Sequence, residues 1–190
     1  MRIVVGTKNA HKVLELQRIL EDLIPGIVLE PSPEDSPVED GDTFSANALI
    51  KARSAFQATG QPSIADDSGL EVRALEGRPG IFSARYAETG LDADNTAKVL
   101  AEMAGVEDRA AAFVCAAALV HAGGEVVIEK RWEGSLAHHP AGSGGFGYDP
   151  VFIPQGYSVT SAELSAQEKD ELSHRGQAFR ALAPAITALR

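Results

Sequence analysis

The chain has 190 residues, 44% hydrophobic and 23% charged, which fits one globular domain or two packed lobes. Its net charge of −10 argues against broad nucleic-acid binding, which needs a basic face, but leaves room for a small polyanion in one basic pocket. No apolar run approaches the ~20 residues of a membrane span, and the single cysteine, Cys115, excludes an internal disulfide and a C-x-x-C zinc site.

Arg2–Gly6 reads as a buried strand and the opening residues show no signal-peptide pattern, which with one core-like cysteine leads to the expectation of a reducing, cytoplasmic setting. A polar connection over 7–10 precedes a helix over 11–23, where Val13, Leu16, Leu20 and Leu23 recur at helical spacing before Pro25-Gly26. Ile27-Val28-Leu29 is a second strand, and the proline- and acid-rich stretch 31–42 is a loop. Thr43 caps a helix to about Thr59, with a buried stripe of Phe44, Ala48, Ala52, Ala55 and Phe56 and a face carrying Asn47 and Lys51.

One strand then runs into Asp66 and another from Leu70 to Leu75. Helix is expected over 92–104, and an apolar strand over 111–122 turns at Gly123-Gly124 into Val126-Val127-Ile128. A glycine-rich loop covers 140–148 and leads to a strand at 151–153. A capping box at Ser165-Ala166-Gln167-Glu168 opens a short helix, and a last helix covers 175–189, kinked near Pro184. The hairpin requires an antiparallel pair, so the fold class is a mixed α/β sheet with helices around it.

Chemistry is sought first at Asp66-Asp67-Ser68-Gly69, where two adjacent carboxylates end an apolar run. Both ionise there at a cost unless a divalent cation joins them, yet the same residues suit an ordinary turn. Glu39, Asp40 and Asp42 offer further acids. The loop Thr7-Lys8-Asn9-Ala10-His11-Lys12 leads into a helix N-terminus, an anion site to which a hydroxyl, an amide and a lysine add donors. Gly142 to Gly147 spells G-x-G-x-x-G, but the strand after Pro150 excludes a dinucleotide fingerprint and leaves a loop presenting aromatics and Asp149 to a base. Lys169 and Ser173-His174-Arg175 supply donors suited to the keto oxygen of a purine. The five histidines have no persuasive nucleophile partner.

Six stretches in order resemble the inosine/xanthosine triphosphate pyrophosphatases. They are the loop 7–12, Thr43-Phe44-Ser45-Ala46-Asn47-Ala48 with Lys51-Ala52, and Ala65–Leu70. Pro79-Gly80-Ile81-Phe82-Ser83-Ala84-Arg85-Tyr86, Gly144–Pro150 and Ser173-His174-Arg175-Gly176 complete the set. The resemblance implies a single domain over 1–190, an elongated mixed sheet forming two lobes around a central cleft, a homodimer and a Mg²⁺ requirement. It implies hydrolysis of ITP, dITP or XTP to the monophosphate and pyrophosphate, with no nucleic-acid or membrane partner.

By position, Thr7, Asn9 and Lys12 hold the triphosphate within a substrate-binding loop that also includes Lys8, Ala10 and His11, with Asn47 and Lys51 beside it. Asp67 is proton acceptor and metal ligand, Glu39 the second metal-binding acid, and Ser68 a substrate contact. Phe146, Gly147, Tyr148 and Asp149 form the base and sugar pocket; Lys169, His174 and Arg175 close on the base. Lys8 and His11 replace glycines of some relatives, and Tyr148 stands where some have Trp. A 6-keto oxygen accepts from His174 and Arg175, whereas the amino group of adenine leaves those donors unpaired, a mismatch of ~1–3 kcal/mol each. Two alternatives stand beside this reading: a Maf-like pyrophosphatase acting on other modified nucleotides, and a nucleotide-binding module without turnover.

Overall fold

A computed structural model describes residues 1–189. Six strands form one sheet: β1 (Arg2–Val5), β2 (Val28–Pro31), β3 (Ser63–Val72), β4 (Ala110–His121), β5 (Gly124–Leu136) and β6 (Phe152–Pro154), in the order β2-β1-β3-β4-β5-β6. β1 pairs parallel to both β2 and β3, while β5 and β6 are antiparallel, so the sheet is mixed. The helices are α1 (Ala10–Leu23), α2 (Phe44–Thr59), α3 (Asp92–Glu102), α4 (Ala166–Leu172) and α5 (His174–Thr187).

Local chemistry explains the helix ends. Asn9 caps α1, its Oδ1 accepting from the His11 and Lys12 amides at 3.0 and 3.3 Å. Thr43 caps α2 by accepting from the Ala46 amide at 3.1 Å, and Gly60 ends it at φ 65, a left-handed position that glycine adopts without strain. Thr43→Ala is expected to lower stability by about 1 kcal/mol in urea unfolding, with the slope of the transition unchanged. The capping box of α4 forms as expected.

The chain divides into two compact units. One comprises residues 1–67, 115–130 and 174–189. Its core packs Ile3, Val5 and Ile64 of the sheet with Leu16, Leu20, Phe179 and Leu182 of α1 and α5. The other comprises Ser68–Val114 and Arg131–Ser173. Its core centres on Phe152, whose ring lies 4.5 Å from Phe113 and 5.3 Å from Trp132.

Several expectations change. Ser63–Val72 is one strand, so Asp66-Asp67-Ser68-Gly69 is not a turn, and residues 73–75 form a 3-10 helix rather than more strand. The face of α2 carrying Asn47 and Lys51 is buried, while Phe56 of the expected stripe is half-buried. β5 runs thirteen residues, far beyond 126–128. α5 continues through Pro184, with Ala188 N–H donating to the Pro184 carbonyl at 3.0 Å.

Candidate active site

Successive side chains of a strand point to opposite faces, so the continuity of β3 separates Asp66 from Asp67. Both are buried, at 1% and 8% exposure, yet each has its own partners. Asp67 faces α2. Its Oδ1 accepts from Lys51 Nζ at 2.8 Å and its Oδ2 from Asn47 Nδ2 at 3.4 Å. The same Lys51 ammonium donates to Glu39 Oε2 at 2.9 Å. Asn47 also accepts from the Gly41 amide at 2.9 Å, which ties the loop carrying Glu39 to the helix. Asp40 and Asp42 of that loop are exposed.

Asp66 meets a different set. Its Oδ2 accepts from Lys12 Nζ at 3.0 Å and from Arg175 Nε and Nη2 at 3.2 and 3.1 Å. Arg175 Nη1 reaches Glu15 Oε2 at 2.6 Å. Glu15, absent from the sequence expectations, is therefore a member of the cluster. Cys115 lies buried beside Asp66, and burial pushes its thiol well up, which fits a core residue and not a nucleophile.

These surroundings drive the two carboxyls apart. Burial raises Asp67, and Lys51 only partly offsets it. Burial would raise Asp66 too, but Lys12, Arg175 and Lys51 outweigh it and hold Asp66 well below the usual carboxylate range. Lys51 is raised: burial opposes its charge, and Asp67 and Asp66 more than compensate. One aspartate is held as an anion and its neighbour is pushed toward the protonated form, a division of the kind found where acid–base work is done.

The 7–12 loop is more internally bonded than its sequence suggests. Thr7 Oγ1 accepts from the Asn9 amide, and Asn9 already occupies two amides of the first turn of α1. Lys8 pairs on the surface with Asp35, and Ala10 and His11 are exposed. Lys12 is the member of the loop that reaches the buried acids.

Among the described residues, no three His, Cys, Asp or Glu side chains form a preassembled metal cluster. Glu39 and Asp67 nevertheless hold one cation, the Lys51 ammonium, between them. Two hard oxygen donors suit Mg²⁺, which takes one or two carboxylates and completes its shell with water and substrate phosphate.

In the second unit the glycine loop is organised by Asp149. That carboxylate, 2% exposed, accepts from Lys169 Nζ at 2.6 Å, the Phe146 amide at 2.8 Å and Ser161 Oγ at 2.8 Å. Gly145, at φ +70, is required here: a Cβ would lie 2.0 Å from Asp149 Oδ2. Asp149, expected at a base, is tied by these bonds into its own loop. Tyr148 likewise is core, 4% exposed, its hydroxyl donating to the Ser83 carbonyl at 2.9 Å. Ser83, from the Pro79–Tyr86 stretch, also accepts from the Leu70 amide on β3. Phe146 is the half-buried aromatic, with Lys169 Nζ 5.1 Å above its ring. It borders a cavity of about 670 Å³ shared with Gly147, Thr96 and His138, within the range of small-molecule pockets. Ser68 is half-buried.

Lys169 and Asp149 thus meet in one unit, and His174 and Arg175 lie buried in the other. Arg175, expected to donate to a base, has its guanidinium committed to Glu15 and Asp66.

A sequence model of the Ham1 family matches residues 3–185. A dITP/XTP pyrophosphatase of Mycobacterium bovis is 50% identical over 196 residues, covering 99% of this chain and 96% of the relative. Among solved structures, a HAM1 protein from Coxiella burnetii is similar with a TM-score of 0.88, 42% identity and 99% coverage of each chain. A nucleoside-triphosphatase / dITP/XTP pyrophosphatase from Mycobacterium abscessus gives 0.76 at 50% identity, covering 97% of this chain and all of that one. The chain carrying these two buried aspartates belongs to the Ham1 family.

Proposed function

We propose that the whole chain acts as one nucleoside-triphosphate pyrophosphatase, hydrolysing dITP, ITP or XTP to the monophosphate and pyrophosphate. The observation that carries the reading is the divided aspartate pair: Asp67, raised by burial, beside a cation held by two carboxylates. The names of its half-identical relatives support the same substrate class.

In this mechanism Asp67 takes a proton from the attacking water. The new bond forms at the α-phosphorus and the anhydride bond to pyrophosphate breaks. Thr7, Asn9 and Lys12 hold the triphosphate, with Lys8, Ala10 and His11 framing it and Asn47 and Lys51 setting Asp67. Glu39 and Asp67 are the residues that would hold Mg²⁺, which when bound neutralises phosphate charge and polarises the reacting centre. Phe146 stacks on the base, with Gly147 and Ser68 against the substrate. Lys169 and His174 donate to it, while Tyr148, Asp149 and Arg175 keep those groups in place. A homodimer and a cytoplasmic setting are proposed with this role; among the described residues no helix is long and apolar enough to cross a membrane.

A product-resolved assay of dITP, ITP, XTP, GTP and ATP with Mg²⁺ tests the reading. Pyrophosphate is the expected product, with hypoxanthine and xanthine nucleotides turned over at least tenfold faster than ATP, and activity lost on chelation. Orthophosphate as first product, or ATP as a substrate equal to dITP, overturns it. Preference for modified pyrimidine or methylated nucleotides supports the Maf-like alternative, and tight binding without product supports a binding module.

A further inference from the structure

We infer that Glu15 is a positioning residue that sets the Lys12 ammonium for phosphate, acting through Arg175 and Asp66. The inference rests on the reading of Lys12 as a triphosphate-binding cation.

Lys12 and Glu15 lie three residues apart, hence on one face of α1. Lys12 Nζ donates to Asp66 Oδ2 at 3.0 Å, Arg175 Nη2 to the same oxygen at 3.1 Å, and Arg175 Nη1 to Glu15 Oε2 at 2.6 Å. The helix closes the circuit, so four charges of alternating sign form a ring. The side chains of Asp66, Arg175 and Glu15 are 0%, 2% and 9% exposed, and that of Lys12 is 14%. Lys12 is therefore the member that an incoming phosphate meets first.

Removal of the Glu15 charge takes one anion from a buried cluster of charges, which burial penalises. The penalty is most cheaply relieved at the most exposed cation. Lys12 then turns away from Asp66 toward solvent and leaves the position from which it meets phosphate. Arg175, with one anion fewer, also leans harder on Asp66 Oδ2, the oxygen that Lys12 needs. Glu15 thus acts on substrate that it does not touch.

Binding of inorganic tripolyphosphate to the full chain, measured by titration calorimetry, tests this without turnover. Lys12→Met should weaken binding, and Glu15→Gln should weaken it about tenfold in the parent but less than twofold in the Lys12→Met background, as coupled neighbours do. Glu15→Asp, which keeps the charge, should recover part of the affinity. An unchanged or tighter Glu15→Gln, an equal loss in both backgrounds, or no difference between the Asp and Gln variants overturns the inference, as does an unaltered Lys12→Met. If the Gln variant does not fold, Glu15→Asp is read in both backgrounds by the same criterion. The measurement is independent of the base and of hydrolysis, so failure of the parent to release pyrophosphate from dITP would overturn the proposed function and leave this result readable.

Discussion

Asp67→Asn is expected to lower kcat for pyrophosphate release by about 10³-fold, within the range attributed to a positioned general base. Affinity for dITP should change less than about fivefold, because the amide keeps the shape of the carboxylate and Lys51 keeps Glu39 as a partner. The parent enzyme carries a further signature. The base must be ionised to accept a proton, and burial raises Asp67 above the ordinary aspartate value of 3.8. The profile of kcat/KM, which reports the free enzyme, should therefore fall on its acid side at a pH above 3.8.

The same shift has a consequence for stability with the opposite sense. A carboxyl raised on folding favours the native state while protonated, and this contribution is lost as pH rises through the folded value. Asn imitates the protonated form, so Asp67→Asn should unfold at a temperature no lower than the parent near neutral pH. Loss of activity with a lowered unfolding temperature would indicate damage to the fold. Unchanged turnover would remove Asp67 as the base.

Much of the frame was legible because its signals are local. Asn9, Thr43 and Ser165 sit where helices begin, and Gly60 where one ends, since each supplies a hydrogen bond or a backbone angle over a few residues. The Asp-Asp-Ser-Gly stretch was misread as an end because those residue types favour turns. Parallel pairing of β1 with β3, Val4 with Ser63 and Val5 with Ile64, keeps Ser63-Ile64 in the sheet, and burial on both faces makes the strand persist through the acids.

The site was legible as a set of residues and less so as a set of contacts. Helical spacing put Lys51 and Asn47 on one face of α2 but does not give what covers it. Asp149 and Arg175 looked available to a base because a sequence counts donors and acceptors without showing which are already matched. Glu15 left a usable signal: it shares the buried stripe of α1 with Leu16, Ile19 and Leu20. An acid on an apolar face announces a buried cation, though only the fold names that cation as Arg175, 160 residues away.

Arg175→Ala is expected to destabilise the protein by about 3–5 kcal/mol, the range for breaking a buried ion pair by removing one partner. The reason lies in what remains. Glu15 loses its buried guanidinium partner, Asp66 loses the Arg175 Nε and Nη2 donors, and two buried acids keep their charge with one cation fewer. At roughly 2–4 °C per kcal/mol for a chain of this size, the unfolding temperature should fall by about 6–20 °C. The loss should be smaller when Glu15→Gln is added, because the second change removes one of the stranded charges. Acid unfolding gives the sign. The carboxyl of Asp66 is depressed on folding, so its stabilisation is present above the ordinary value of 3.8 and is lost as pH falls through the folded value. Without Arg175 the depression shrinks, and the acid limb of stability should move to higher pH. A loss below about 1 kcal/mol, or an acid limb that stays in place, would mean that the ring is not what holds α1 and α5 to β3.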